Sequence, residues 1–150
     1  MIEISENRSN IIASFGTPHY EQMFELRDAV LRRPFGRALT TEDRERDKER
    51  IHVAVLEGDR VIATASICYL ADGQTQFRQV AVAEAGQKTG AGRQLMAYAE
   101  QIALNAGYTK ALVHARNTAI EFYQRIGYVG EGDLFDENGI PHWLMRKRLG

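Results

Sequence analysis

The feature that most restricts this chain is a short glycine-bearing loop, Gln87-Lys88-Thr89-Gly90-Ala91-Gly92, set between a strand-like run and a helix-like run. Upstream, Thr75 to Ala83 alternates, with Phe77, Gln79, Ala81 and Ala83 expected on one face. Downstream, Leu95, Met96, Ala99, Ile102 and Ala103 recur at helical spacing and Asn105-Ala106-Gly107 supplies a C-cap, so a helix is expected from about Ala91 to Asn105. A strand that enters a helix through glycines can hold an anion. The first N–H groups of the helix have no intrahelical partner and point outward with the positive end of the dipole. A pyrophosphate placed there is held by amides instead of by a crowd of lysines. Gly90 and Gly92 remove side chains where oxygens must approach the backbone, and Lys88 and Arg93 add charge at the rim.

Two common phosphate motifs do not fit. The P-loop needs Gly directly before Lys and a second Gly upstream, whereas Gln87 separates Gly86 from Lys88. The dinucleotide fingerprint needs Gly or Ala three positions after Gly92, where Leu95 stands.

The rest of the chain supplies strands and helices in alternation. Residues 1–16 are ambiguous, with Asn10 to Phe15 a possible first strand. Thr17-Pro18 reads as an N-cap and first helical residue, and Met23, Leu26 and Val30 continue that helix until Pro34 stops it. Thr41 to Arg50 is a charge run, expected as a short exposed helix. Ile51 to Leu56 and Arg60 to Tyr69 form a hairpin around Gly58-Asp59. Ala111 to Ala115 is a further strand, and Asn117 is expected to cap a short helix ending at Gly127. Tyr128 to Phe135 and Ile140 to Lys147 make a last hairpin. The whole chain, 1–150, is expected to be one α/β (α+β) domain with a mixed sheet and helices on both faces.

Charge narrows the partners. The 19 basic and 20 acidic residues nearly cancel, so neither nucleic acid nor an anionic membrane is called for. Cys68, the single cysteine, cannot form an internal disulfide, which fits a reducing compartment, and its apolar run places it in the expected core. No stretch approaches the roughly 18 apolar residues of a membrane span and no signal-peptide core is seen, so the cytoplasm is expected.

Gln-x-x-Gly-x-Gly between a strand and an amphipathic helix resembles the acetyl-CoA signature of the GNAT N-acetyltransferase superfamily. The segment His114 to Tyr128 resembles the second motif of that superfamily, with an Ala, the pair Phe122-Tyr123 and a Gly-aromatic close. Asn117 stands two positions before Ala119, where the common form has three. Gly139-Ile140-Pro141-His142 with Met145 is similar to the ending of a subgroup of small GNAT proteins. The resemblance covers roughly residues 51–149 and implies a twisted, mostly antiparallel sheet. It implies acetyl-CoA as co-substrate, without a metal, bound by Gln87 to Gly92, Arg93 and Asn117. It also implies that the amides of Val80, Ala81 and Val82 meet the pantetheine arm and thioester oxygen.

Acetyl transfer from a thioester to an amine needs a polarised carbonyl, a neutral amine, a base for its extra proton and an acid for the leaving thiolate. Tyr123 is the candidate acid and matches the motif tyrosine of the family. A phenol stays protonated at neutral pH and can donate as the thiolate forms. Ala119, Phe122 and Ile126 share one helical stripe, which assigns packing to Phe122 and leaves Tyr123 offset. The base is open among His52, His114, His142, Glu84 and Glu131. His142 leads, because Pro141 fixes its backbone and the subgroup shares it. The expected reaction is direct attack by the amine in a ternary complex. A non-catalytic acyl-CoA-binding module and a longer-chain acyltransferase are the alternatives. The resemblance assigns the acceptor, a small-molecule or peptide amine, to Arg27–Asp47 and the last hairpin. Arg32, Arg33 and Arg37 could meet an acidic acceptor, and exposed sheet edges make a homodimer plausible.

Overall fold

A computed structural model describes residues 7–150; residues 1–6, part of the ambiguous N-terminal stretch, lie outside the described residues. The strands are β1 (Arg8–Ile12), β2 (Ile51–Glu57), β3 (Arg60–Tyr69), β4 (Gln74–Val82), β5 (Lys110–Arg116), β6 (Val129–Glu137) and β7 (Ile140–Arg148). The helices are α1 (Pro18–Arg27), α2 (Thr41–Asp47), α3 (Ala91–Asn105) and α4 (Ile120–Arg125). The seven strands form a mixed, mostly antiparallel sheet in the order β1-β2-β3-β4-β5-β7-β6. Only a crossover can join parallel neighbours, and α3 is the crossover between β4 and β5. Among the described residues no helix is long and apolar enough to cross a membrane.

The chain packs as two compact units, one running to Ile67 and joined by Gln79–Ala99, the other made of Cys68–Arg78 and Glu100–Gly150. In the first, β2 and β3 are buried almost throughout from Val53 to Leu56 and from Val61 to Ile67, as befits strands covered on both faces. Thr17 caps α1 by accepting from the Tyr20 amide at 3.2 Å, with Pro18 as first helical residue. The helix does not run on to Pro34 as its spacing suggests. It ends at Arg27, and the chain continues through a wide π turn, Asp28–Arg32, and a 3-10 turn, Arg33–Phe35.

The charge run holds a second departure. It forms α2, with a capping box in which the Thr40 hydroxyl accepts from the Asp43 amide and the Asp43 carboxylate accepts from the Thr40 amide. Asp47, however, is fully buried beside a fully buried Arg27. Arg27 Nη1 donates to Asp47 Oδ2 at 2.8 Å and Tyr20 Oη donates to the same oxygen at 2.5 Å. His52 Nε2 donates to the Asp47 carbonyl at 2.8 Å, which leaves Nδ1 to accept from Ser66 Oγ at 2.9 Å. One polar network thus ties α1, α2, β2 and β3 together.

In the second unit, β5 pairs with β7 from Lys110↔Arg148 to Arg116↔His142. Tyr128 Oη and Lys147 Nζ both donate to the Glu100 carboxylate, at 2.9 and 2.8 Å. Gly130 is fixed by crowding: a Cβ there would lie 2.1 Å from the Trp143 ring, whose Nε1 donates to the Gly132 carbonyl. Gly130→Ala is therefore expected to cost about 1–3 kcal/mol in chemical denaturation, and a loss below about 0.5 kcal/mol would show that the indole moves aside without strain. Cys68 is half-buried near the end of β3, short of the full burial its apolar run suggests.

Burial pushes the phenols of Tyr123 and Tyr128 well above their ordinary value of 10.0; at Tyr128 the Glu100 carboxylate adds to the effect. The folded state keeps these protons at a pH where the unfolded chain gives them up. The stabilisation is thus complete below pH 10 and is lost as pH climbs past it. Melting temperature should fall steeply above pH 10, and less steeply in Tyr128→Phe; parallel curves for the two proteins would count against this cause.

Candidate functional site

In the first unit the site begins at Gln79. Its φ is +52°, in the left-handed region, although it is neither glycine nor at a turn. That conformation costs a non-glycine residue about 1–2 kcal/mol. The expected alternation Phe77, Gln79, Ala81, Ala83 is therefore broken: Phe77, Ala81 and Ala83 are buried, whereas Gln79 is only partly so. Its Oε1 is nonetheless buried and has no hydrogen-bond partner among the described residues. Strain and an unmet acceptor thus coincide on one residue, directly before Val80, Ala81 and Val82.

After β4, Ala83 N donates to the Ile62 carbonyl at 2.8 Å, which fixes the exit of the strand. A 3-10 turn, Glu84–Gly86, follows. Gln87 is exposed but bonded back to its own loop twice: its amide donates to Ala83 O and Glu84 O, and its Nε2 donates to Val82 O at 3.2 Å. Thr89 is also committed, its amide and hydroxyl both donating to Gly86 O, the hydroxyl at 2.5 Å. Lys88 and Gly90 both take positive φ, +62° and +86°. Gly90 O accepts from Gln94 N at 2.9 Å, the first bond of α3, so Gly90 is its N-cap. The amides of Ala91, Gly92 and Arg93 therefore precede the first intrahelical donor. Ala91 and Gly92 are buried, while Lys88, Gly90 and Arg93 are exposed. A Cβ on Gly90 would meet nothing within 4 Å among the described residues, so this glycine is required by its φ.

One contact of this loop was invisible in the sequence. Arg8, on β1, donates from Nη1 to Thr89 O at 3.1 Å and from Nη2 to Thr89 Oγ1 at 2.7 Å. Its Nε pairs with Glu57 at 3.3 Å. Two residues further along β1, Asn10 Oδ1 accepts from Gln94 Nε2 at 2.7 Å, holding the first turn of α3. Neither residue lies on a periodic stripe, and 81 positions separate Arg8 from Thr89.

In the second unit Tyr123 sits on α4 at 6% exposure, edge-on to Phe122 at 5.1 Å and to Tyr128 at 5.5 Å. The expected division of labour is reversed in burial, because Phe122 is the more exposed of the pair. Asn117 does not cap a helix. It opens an exposed 3-10 turn, Asn117–Ala119, without a side-chain cap, and Ala119 holds the N-cap position of α4.

Of the candidate bases, His52 has both nitrogens occupied in the core, and burial lowers its pKa below the ordinary value. Glu131 is paired with Arg146 at 2.6 Å, and Glu84 lies on the exposed turn after β4. His114 Nδ1 lies 3.0 Å from Glu137 Oε1. His142, 5% exposed, donates from Nδ1 to Ile140 O at 2.7 Å and turns Nε2 toward Glu137 Oε2 at 3.4 Å. The arginines offered for an acidic acceptor differ: Arg33 is held by Glu25 and Asp28, Arg32 Nη1 donates to Leu31 O, and Arg37 is exposed.

Residues 26–149 match a family model described as an acetyltransferase (GNAT) domain. YyaT of Bacillus subtilis is 26% identical over 98 residues, 65% of this chain and 66% of YyaT, just under two thirds of that relative. The crystal structure of a candidate N-acetyltransferase from Lactobacillus plantarum superposes with a TM-score of 0.82 at 26% identity, over 96% of this chain and 99% of that one. A GNAT family acetyltransferase from Elizabethkingia anophelis, solved with acetyl-CoA bound, shares the fold at 21% identity and a TM-score of 0.73, over 97% and 100% of the two chains.

Proposed function

Because the chain belongs to the GNAT acetyltransferase family and is thereby an acyl-CoA-dependent N-acetyltransferase, we propose that it moves an acetyl group from acetyl-CoA to a primary amine by direct attack. The acceptor is a small molecule or a peptide, and residues 1–150 act as one acetyltransferase domain. The observation that carries this reading is the mouth of α3, where Gly90 caps the helix with positive φ and the amides of Ala91, Gly92 and Arg93 have no intrahelical acceptor.

These amides bind the pyrophosphate of CoA, with Lys88 and Arg93 adding charge. Gln87 and Thr89 act beside them by shaping the loop, since their own amides are already engaged. Val80, Ala81 and Val82 present amides to the pantetheine arm and the thioester oxygen, and Asn117 contacts the arm. The amine nitrogen attacks the thioester carbon, the C–S bond breaks, the amine proton passes to His142, and the thiolate takes its proton from Tyr123. Preorganised amides at the oxyanion are worth about 3 kcal/mol each in such sites.

Calorimetric titration of the protein with CoA tests the reading directly: binding is expected, and no detectable heat or competition would end it. Arg8→Ala should weaken CoA about fivefold, the equivalent of one lost hydrogen bond, through the loosened Thr89. Unchanged affinity would detach Arg8 from the loop's function.

A further inference from the structure

We propose that Glu137 is a positioning residue that joins His142 and His114 into one proton-handling cluster, the base of the transfer reaction; this rests on the reading above. Three strands bring the groups together. Phe135 and His142 are cross-strand partners between β6 and β7, as are Glu137 and Ile140, and Arg116 faces His142 from β5. Partners and alternate residues share a face, so Phe135, Glu137, His142 and His114 stand on the same side of these strands.

The hydrogen-bond directions then assign the protons. Ile140 O is only an acceptor, so His142 Nδ1 must carry a hydrogen. In the neutral ring Nε2 is bare, and it faces an acceptor, Glu137 Oε2. A proton arriving on Nε2 meets a carboxylate already in place. Glu137 Oε1 meanwhile accepts from His114 Nδ1, so the two imidazoles share one carboxylate through its two oxygens. The Phe135 ring lies against both, stacked on His142 at 6.0 Å and edge-on to His114 at 5.2 Å. Exposure rises outward, from 7% for the His142 side chain to 30% for His114 and 34% for Glu137. A proton taken at the buried ring therefore has an outlet to water through the carboxylate, which is one third exposed and is held by the second ring. Arg116 pairs opposite His142, and Asp136, next to Glu137 along β6, accepts from Gly139 N. The turn Asn117–Ala119 that packs on β7 carries no titratable side chain.

The test uses the full chain with acetyl-CoA and a panel of primary amines. Glu137→Gln should keep CoA affinity and melting temperature and lower kcat about tenfold, because His142 loses the carboxylate that faces its Nε2. Glu137→Asp should recover part of the rate. His142→Gln should lower kcat at least as far. Wild-type kcat in Glu137→Gln, or in His142→Gln, overturns the proposal. Long-range proton–nitrogen NMR of the imidazoles reads the cluster without turnover. Both rings are expected to carry a proton on Nδ1, and Glu137→Gln should move the Nε2 signal of His142 and the Nδ1 signal of His114. Unmoved signals in that variant refute the cluster even if the protein transfers no acetyl group, whereas failure to bind CoA refutes only the function proposed above.

Discussion

Arg27→Leu is expected to lower the free energy of unfolding by about 3–5 kcal/mol, the usual cost of breaking a buried ion pair from one side. The guanidinium and the Asp47 carboxylate both have 0% side-chain exposure, and Arg27 Nη1 donates to Asp47 Oδ2 at 2.8 Å. Without the cation, Asp47 Oδ2 keeps only the Tyr20 hydroxyl, and Oδ1 already has no hydrogen-bond partner among the described residues. A carboxylate left there must stay charged without water or take up a proton, and either is costly. A domain with about 5–15 kcal/mol in hand would be brought close to its unfolding threshold. Removing both charges, in Arg27→Leu with Asp47→Leu, should restore much of the loss, because Arg27 Nε and Nη2 have no hydrogen-bond partner among the described residues and the pair is poorly compensated. Urea denaturation of the two variants decides this; a single-variant loss below about 1 kcal/mol would mean that water reaches the pair.

Tyr123→Phe should reduce kcat about 10²-fold, or some 2.7 kcal/mol of barrier, with CoA affinity intact. The change removes one oxygen and leaves the ring contacts with Phe122 and Tyr128 in place, so stability is a poor alternative explanation for a lost rate. Burial holds the phenol protonated well beyond neutral pH, which suits a group that must give a proton only when a thiolate forms beside it. Thiol release measured at saturating acetyl-CoA and amine gives kcat, and calorimetry gives affinity. An unaltered kcat removes Tyr123 from the mechanism and returns it to packing.

The parts of the fold written in local pattern were legible. The stripe from Leu95 to Ala103 with its Asn105-Ala106-Gly107 close marked α3 at both ends, and Thr17-Pro18 marked the start of α1. The hairpin glycines set β2 against β3 and β6 against β7. What escaped depends on partners far along the chain. Nothing in Thr41 to Arg50 singles out Asp47 as the one acid that turns inward, because its reason is Arg27, 20 residues earlier. Arg8 looked like an ordinary charge near an ambiguous strand, since its purpose is Thr89. Gln79 obeyed the alternation on paper and departed from it through a single backbone angle that no side-chain pattern encodes. Asn117 carried the chemistry of a cap, but a 3-10 turn occupies Asn117–Ala119 and places Ala119 at the N-cap of α4 instead. The position of the glycine loop at the mouth of α3 was legible in the sequence, whereas the contacts of Glu137 were not, because a carboxylate in a hairpin has no signature until two imidazoles are seen to converge on it.

The left-handed angle at Gln79 also limits which residues can be exchanged there. Glycine, asparagine and aspartate tolerate that region of backbone space, while valine, isoleucine and threonine, the residues a strand otherwise welcomes, do not. A saturation library should thus show an inverted preference at position 79 compared with Val80 beside it, and that inversion would reveal the kink from mutational data alone.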